Sequence, residues 1–175
     1  MQTPILYLLI GYPGSGKTTT AQFIKELTGA THIWADRERR ERFGSVYNQS
    51  DSDKLYEILN KQAEELLRSG KSVIYDTNFN YYKDRQTLRV VADQAGAQTV
   101  VLWLELSQED AYRRAIEQTN GKRMFITMTH DDFIRVANHL EPPNEVERAI
   151  KLDGTKITKE YLKATLGLSI LGLTN

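Results

Sequence analysis

Along the chain, short unbroken apolar runs alternate with longer stretches in which apolar residues recur every three or four positions. Pro4 to Ile10 is a continuous apolar run of strand length, the pattern of a strand covered on both faces. Thr19 to Leu27 then sets Thr20, Phe23, Ile24 and Leu27 at helical spacing, and Gly29 supplies a stop. A second short strand is predicted over Thr31 to Ala35, followed by a charged helix from Asp36 to about Phe43. From Ser50, the stripe Leu55, Ile58, Leu59, Ala63 and Leu66 predicts an amphipathic helix ending at Ser69-Gly70. Ser72 to Tyr75 is β-prone and closed by Asp76, and Arg85 to Ala95 carries Leu88, Val91, Ala92 and Ala95 on one helical face.

The second half repeats the alternation. Thr99 to Leu106 is another strong strand, and Ser107 with Asp110 opens a helix that ends near Asn120-Gly121. Thr129 and Asp132 cap a further helix reaching about Leu140, where Pro142-Pro143 stops it. A weak strand over Ala149 to Leu152 and a helix from Thr158 to about Leu166 complete the pattern. Strands separated by helices predict a three-layer α/β fold with a mostly parallel five-stranded sheet. The 175 residues suit one domain, placed at residues 1–168 with a tail at 169–175.

Composition narrows the partners. Lys+Arg and Asp+Glu both number 23, so no net field recruits nucleic acid or an anionic membrane, and any such partner needs a local patch. The chain has no cysteine, which excludes disulfides, thiolate catalysis and Cys-ligated zinc. No basic leader precedes the first apolar run, and no run is long enough to span a bilayer, so the expectation is a cytoplasmic protein without a membrane partner. His32, His130 and His139 show no ligand spacing and are assigned surface or packing roles.

The chemistry starts at Gly11-Tyr12-Pro13-Gly14-Ser15-Gly16-Lys17-Thr18, which satisfies G-x-x-x-x-G-K-[ST] at every position. A strand before it and a helix after it supply the context such a loop needs: helix N-terminal N–H groups and the helix dipole facing an anion. The motif therefore predicts ATP or GTP binding, with Lys17 reaching the β- and γ-phosphates, Thr18 ligating Mg²⁺ and Thr19 near the α-phosphate.

Three further clusters bear on the reaction. Asp76-Thr77-Asn78 follows a strand, where an acidic residue points at the ligand crevice of an open sheet. A mechanical ATPase usually carries a second acid directly after that position, but here it is Thr77; the N-K-x-D motif of GTPases is also missing. Asp36-Arg37-Glu38-Arg39 lies on the same rim. Asp36 is either a proton acceptor or the N-cap of a charged helix, and Arg39, one turn on, is placed to bind an anionic part of a second substrate. Arg113, Arg114 and Arg123 surround the predicted helix end at Asn120-Gly121, where guanidinium groups on a lid stabilise transferring phosphoryl charge.

Together G-Y-P-G-S-G-K-T-T (Gly11 to Thr19), D-x-x-R (Asp36 to Arg39) and D-T-N-F-N (Asp76 to Asn80) resemble the P-loop kinase group. That group includes phage polynucleotide 5′-hydroxyl kinase, zeta-toxin-like kinases, chloramphenicol phosphotransferase and gluconate kinase. The resemblance extends to about Leu168 and implies an ATP- and Mg²⁺-dependent kinase with a helical lid at roughly 113–130. It implies that Asp36 is the general base, that Arg39 and Asn78 are acceptor-site residues, and that Asp76 lies near the metal or acceptor. Arg114 and Arg123 match the lid arginines, and Glu141-Pro142-Pro143 looks like the region near adenine. The phage enzyme's phosphatase domain has no counterpart here. The acceptor expected first is the 5′-hydroxyl of a nucleic acid or nucleotide; a sugar nucleotide, an antibiotic, or water in a nucleotide-dependent switch are the alternatives.

Overall fold

The computed structural model describes residues 3–44, 48–120 and 128–170. Five strands form one sheet: β1 (Ile5–Ile10), β2 (Thr31–Trp34), β3 (Val73–Asp76), β4 (Gln98–Glu105) and β5 (Ile150–Asp153). Their order is β2-β3-β1-β4-β5, and all the pairings are parallel, so the sheet is more regular than the mostly parallel one expected. Every residue of β1 is buried, because a central parallel strand is covered on both faces.

The helices among the described residues are α1 (Lys17–Thr28), α2 (Ala35–Phe43), α3 (Gln49–Arg68), α4 (Tyr82–Gln94), α5 (Gln108–Asn120), α6 (His130–Asn138) and α7 (Lys159–Ile170). Side-chain alternation along β1 feeds two cores. Leu6, Leu8 and Ile10 pack with Leu55 and Leu59 of α3 and with Leu88 and Ala92 of α4. Tyr7 and Leu9 pack with Ile24 of α1 and Leu162 of α7. Ala111 and Ala115 of α5 close against Phe133 and Ala137 of α6 in a third, smaller cluster. None of the described helices is long and apolar enough to cross a membrane.

Several boundaries differ from the sequence reading for local reasons. Helix α1 starts at Lys17, directly after a left-handed Gly16. Strand β3 extends through Asp76, which pairs in register with Trp34. Helix α4 starts at Tyr82, because the Glu141 carboxylate accepts the Tyr82 N–H at 2.6 Å and caps that end. Arg85, expected at a helix start, is therefore an interior residue, and it is fully buried. An unexpected 3₁₀ turn at Glu145–Glu147 is held by a capping box from Asn144.

Candidate active site

The loop between β1 and α1 lies at the C-terminal edge of the sheet, where the connections diverge to opposite sides of β1, the ligand crevice of open α/β folds. Gly14 has φ 81, and a Cβ there would stand 2.3 Å from the Ala111 carbonyl oxygen, so the loop presses its backbone against α5. Helix α1 has no side-chain cap and no acidic residue in its first turn. Its positive end is thus left to an anion. Gly11, Pro13 and Ser15 are buried; Thr18 is half-buried and Thr19 exposed.

Lys17 is buried and donates from Nζ to the carbonyls of Gly11 at 2.8 Å and Tyr12 at 2.9 Å. Burial lowers its pKa from 10.5 to about 8, while the charges of Asp76 and Asp36 act the other way. The same charges couple the two acids. Asp36 is raised above the ordinary carboxylate range first by burial and then by Asp76, against the opposing pull of Lys17 and Arg39. Its own surface is nevertheless exposed. Both facts describe a carboxylate on the wall of a crevice, open on one side and crowded by protein on the others. Trp34 occupies the N-cap position of α2, without a side-chain cap, so Asp36 is not the capping residue.

Asp76, at the end of β3, is 3% exposed and accepts a hydrogen bond from His32 Nε2 at 3.1 Å. Sequence reasoning gave His32 a surface or packing role and did not foresee this contact. Arg39 donates to Ser52 Oγ at 2.7 Å and also reaches the phenol of Tyr56, whose hydroxyl lies 2.9 Å from Thr77 Oγ1. Sequence reasoning missed Tyr56, because a half-buried tyrosine beside the apolar stripe of a long helix carries no motif of its own.

Two clefts flank these groups. One, about 480 Å³, is lined by Tyr12, Trp103, Leu106, Pro142 and Thr155 among others, which brings the Pro142 segment beside the phosphate loop. The other, about 750 Å³, opens past Tyr56, Thr77 and Asn78 toward Tyr81 and His139. Its charged lining is Asp53, Glu57, Asp84 and Arg135, and Arg135 is paired with Asp132 at 2.8 Å.

The arginines expected on a lid are placed differently. Arg114 donates from Nη1 to the Gly154 carbonyl at 2.8 Å, tying α5 to the loop after β5. Gly154 sits against the phosphate loop, where a Cβ would lie 3.1 Å from the Ser15 carbonyl oxygen. Arg113 pairs with Asp110 on its own helix. Arg123 lies outside the described residues, as does the part of the expected lid at 121–127.

A parallel α/β sheet with a glycine loop, a buried lysine and two coupled carboxylates at its C-terminal edge defines a P-loop nucleotide-binding protein. The chain belongs to the AAA domain family AAA_33, whose pattern matches residues 6–143, well over half of its length. The fold is shared with a sugar kinase from Janibacter sp. HTCC2649, at 20% identity over 99% of each chain and a TM-score of 0.69. Kti12 from Chaetomium thermophilum, solved in complex with ADP-AlF3, has a TM-score of 0.77 at 17% identity, covering 98% of this chain and 100% of that one. A chain of the Pnkp1/Rnl/Hen1 RNA repair complex has a TM-score of 0.68 at 20% identity, over 80% of this chain and 45% of that one. No curated protein matches the sequence.

Proposed function

We propose that this protein is a cytoplasmic kinase that transfers the γ-phosphoryl group of Mg·ATP to a hydroxyl of a small second substrate. The observation that carries the reading is the buried Lys17 held by the Gly11 and Tyr12 carbonyls in the phosphate loop, with Asp36 and Asp76 near enough for their charges to act on it. In this reading the α1 amides and Lys17 hold the β- and γ-phosphates. The Thr18 hydroxyl and the Asp76 carboxylate are hard oxygen donors of the kind that hold Mg²⁺, which keeps most of its shell for phosphate and water. When bound, the cation neutralises phosphate charge and orients the triphosphate. Asp36 takes the proton of the attacking hydroxyl, and its raised pKa makes it a stronger base than an ordinary aspartate.

Arg39 and Asn78 contact the acceptor, whose body occupies the larger cleft. That lining favours an uncharged, hydroxyl-rich molecule. Its carboxylates repel a phosphate track, and its arginine is already engaged by Asp132. The basic cluster on α2 offers little more, since Arg37 is paired with Glu41 and Arg42 with Glu38. Arg114 and Arg123 are assigned to stabilising transferred charge, which requires Arg114 to leave Gly154.

A second reading, the 5′-hydroxyl of a nucleotide or nucleic acid, draws on one observation: Arg39 is near enough to Asp36 for its charge to lower that carboxylate's pKa, which supports a guanidinium available to a phosphate beside the attacking hydroxyl. Transfer of label from γ-³²P-ATP to sugars, other polyols, nucleosides and 5′-hydroxyl oligonucleotides separates the readings. Labelled sugar or polyol supports the first and labelled oligonucleotide the second. Phosphate release without any labelled acceptor defeats both and leaves a nucleotide-dependent switch.

A further inference from the structure

Strand alternation turns His32 and Trp34 of β2 away from the face on which Ile33 joins the α3 and α4 core. The two rings lie nearly parallel, with centroids 6.0 Å apart and 9° between their planes. Trp34 is also the N-cap of the helix that carries Asp36. From the same ring, Nε2 meets Asp76 Oδ2 at 3.1 Å, with side-chain exposures of 8% and 4%. The imidazole thus touches one acidic residue of the site directly and the root of the other through Trp34.

A carboxylate oxygen can only accept, so the ring nitrogen facing Asp76 must carry the proton. A buried carboxylate without such a donor would face a large desolvation cost and would turn toward any other partner. The His32 bond takes one acceptor site of Oδ2 and holds the carboxylate in one orientation, with its other acceptor sites left for a cation. Asp76 already feels Lys17 and Asp36, so its rotamer matters to every charged group in the crevice.

We propose that His32 is a positioning residue for Asp76: its Nε2–H holds the carboxylate in the orientation that meets the cation accompanying the nucleotide. The inference rests on the kinase reading for the role of Asp76. Partners that orient a metal-ligating carboxylate typically change metal affinity by roughly 10-fold to 100-fold when removed.

The test uses two variants that divide the imidazole's contacts. His32→Phe keeps a ring against Trp34 and deletes the donor; His32→Gln keeps an N–H donor and deletes the ring. Mn²⁺ affinity of the protein–ADP complex, read by electron paramagnetic resonance, is expected to fall roughly 10-fold or more in His32→Phe and to stay within a few-fold of the parent in His32→Gln. Turnover should follow the same order, with the KM for ATP little changed. Unchanged Mn²⁺ affinity in His32→Phe, or an equal loss in both variants, overturns the proposal. Ring ¹⁵N resonances of the unmodified protein give a check that needs no variant to fold: a protonated Nε2 supports the assignment, and a ring protonated at Nδ1 alone defeats it. Should no acceptor be phosphorylated while His32→Phe still loses Mn²⁺, the kinase reading falls and the positioning role stands. Phosphorylation with Mn²⁺ binding intact in His32→Phe does the reverse.

Discussion

The Arg85 guanidinium and the Glu147 carboxylate, both without solvent exposure, meet through two hydrogen bonds of 2.6 and 2.9 Å across 62 residues of sequence. Arg85 also donates to the carbonyls of Phe79 and Asn80, while Glu147 accepts the Asn144 N–H, so the pair fastens the segment after β3 to the 3₁₀ turn. That segment forms one wall of the larger cleft. Removing one partner strands a buried charge, which costs about 3–5 kcal/mol. Arg85→Ala should therefore lower thermal stability sharply, and Arg85→Met with Glu147→Leu should recover much of the loss. Calorimetric melting of the single and double variants measures both. A loss below about 1 kcal/mol for Arg85→Ala, the level of a surface pair, would show that the bridge does not hold this wall.

In the proposed reaction, Asp36→Asn removes the proton acceptor and leaves the phosphate loop untouched. Turnover should fall on the order of 10² to 10⁴. ATP affinity, measured by calorimetry, should remain within a few-fold of the parent. Parallel loss of both would reassign Asp36 to nucleotide binding.

The parts of this molecule that were legible in the sequence are those encoded by neighbours in the chain. The phosphate loop is a contiguous run, and its strand and helix follow from apolar spacing alone. Asp36 was ambiguous because a charged helix start looks like a capped one; the capping alternative falls when Trp34 takes the cap position. The His32 to Asp76 contact was hidden, because the parallel register of β2 on β3 joins residues 44 apart. Arg85 was misread for the same kind of reason, since its partner arrives from a turn that has no apolar pattern. Arg114 matched its family position by sequence, yet nothing in one chain's sequence foretells its bond to Gly154.

Gly14→Ala tests the fit between the loop and α5. The backbone there is left-handed, a conformation that costs an L-residue about 1–2 kcal/mol. The new methyl would also stand 2.3 Å from a backbone carbonyl oxygen that cannot swing aside. The loop must shift, and ATP affinity should fall at least about tenfold, which is about 1.4 kcal/mol. Gly29→Ala is the control, with a similar φ of 72 but nothing within 4 Å of its Cβ. It should lower stability by about 1 kcal/mol or more and leave ATP affinity alone. Equal ATP affinities for the two variants would contradict this account of the loop.

The coupled charges also predict a bell-shaped dependence of kcat/KM on pH. In the proposed reaction Asp36 acts as a base only when deprotonated, so activity should be lost as pH falls through its pKa. Because burial and Asp76 raise that pKa, the acid limb should lie above the ordinary carboxylate value of 3.8. In the proposed site Lys17 holds phosphate as an ammonium, and burial lowers its pKa to about 8, so ATP affinity should weaken as pH rises past that value. The Asp76 charge supports both limbs, raising Asp36 and raising Lys17. Asp76→Asn should accordingly move the acid limb to lower pH and the alkaline loss of ATP affinity also to lower pH, besides reducing the rate. Initial rates at low substrate concentration and ATP titrations across pH 4 to 10, roughly the span between ordinary carboxylate and lysine values, measure the two limbs separately. An acid limb at the value of an isolated aspartate, or one that Asp76→Asn leaves in place, would mean that another group supplies the base.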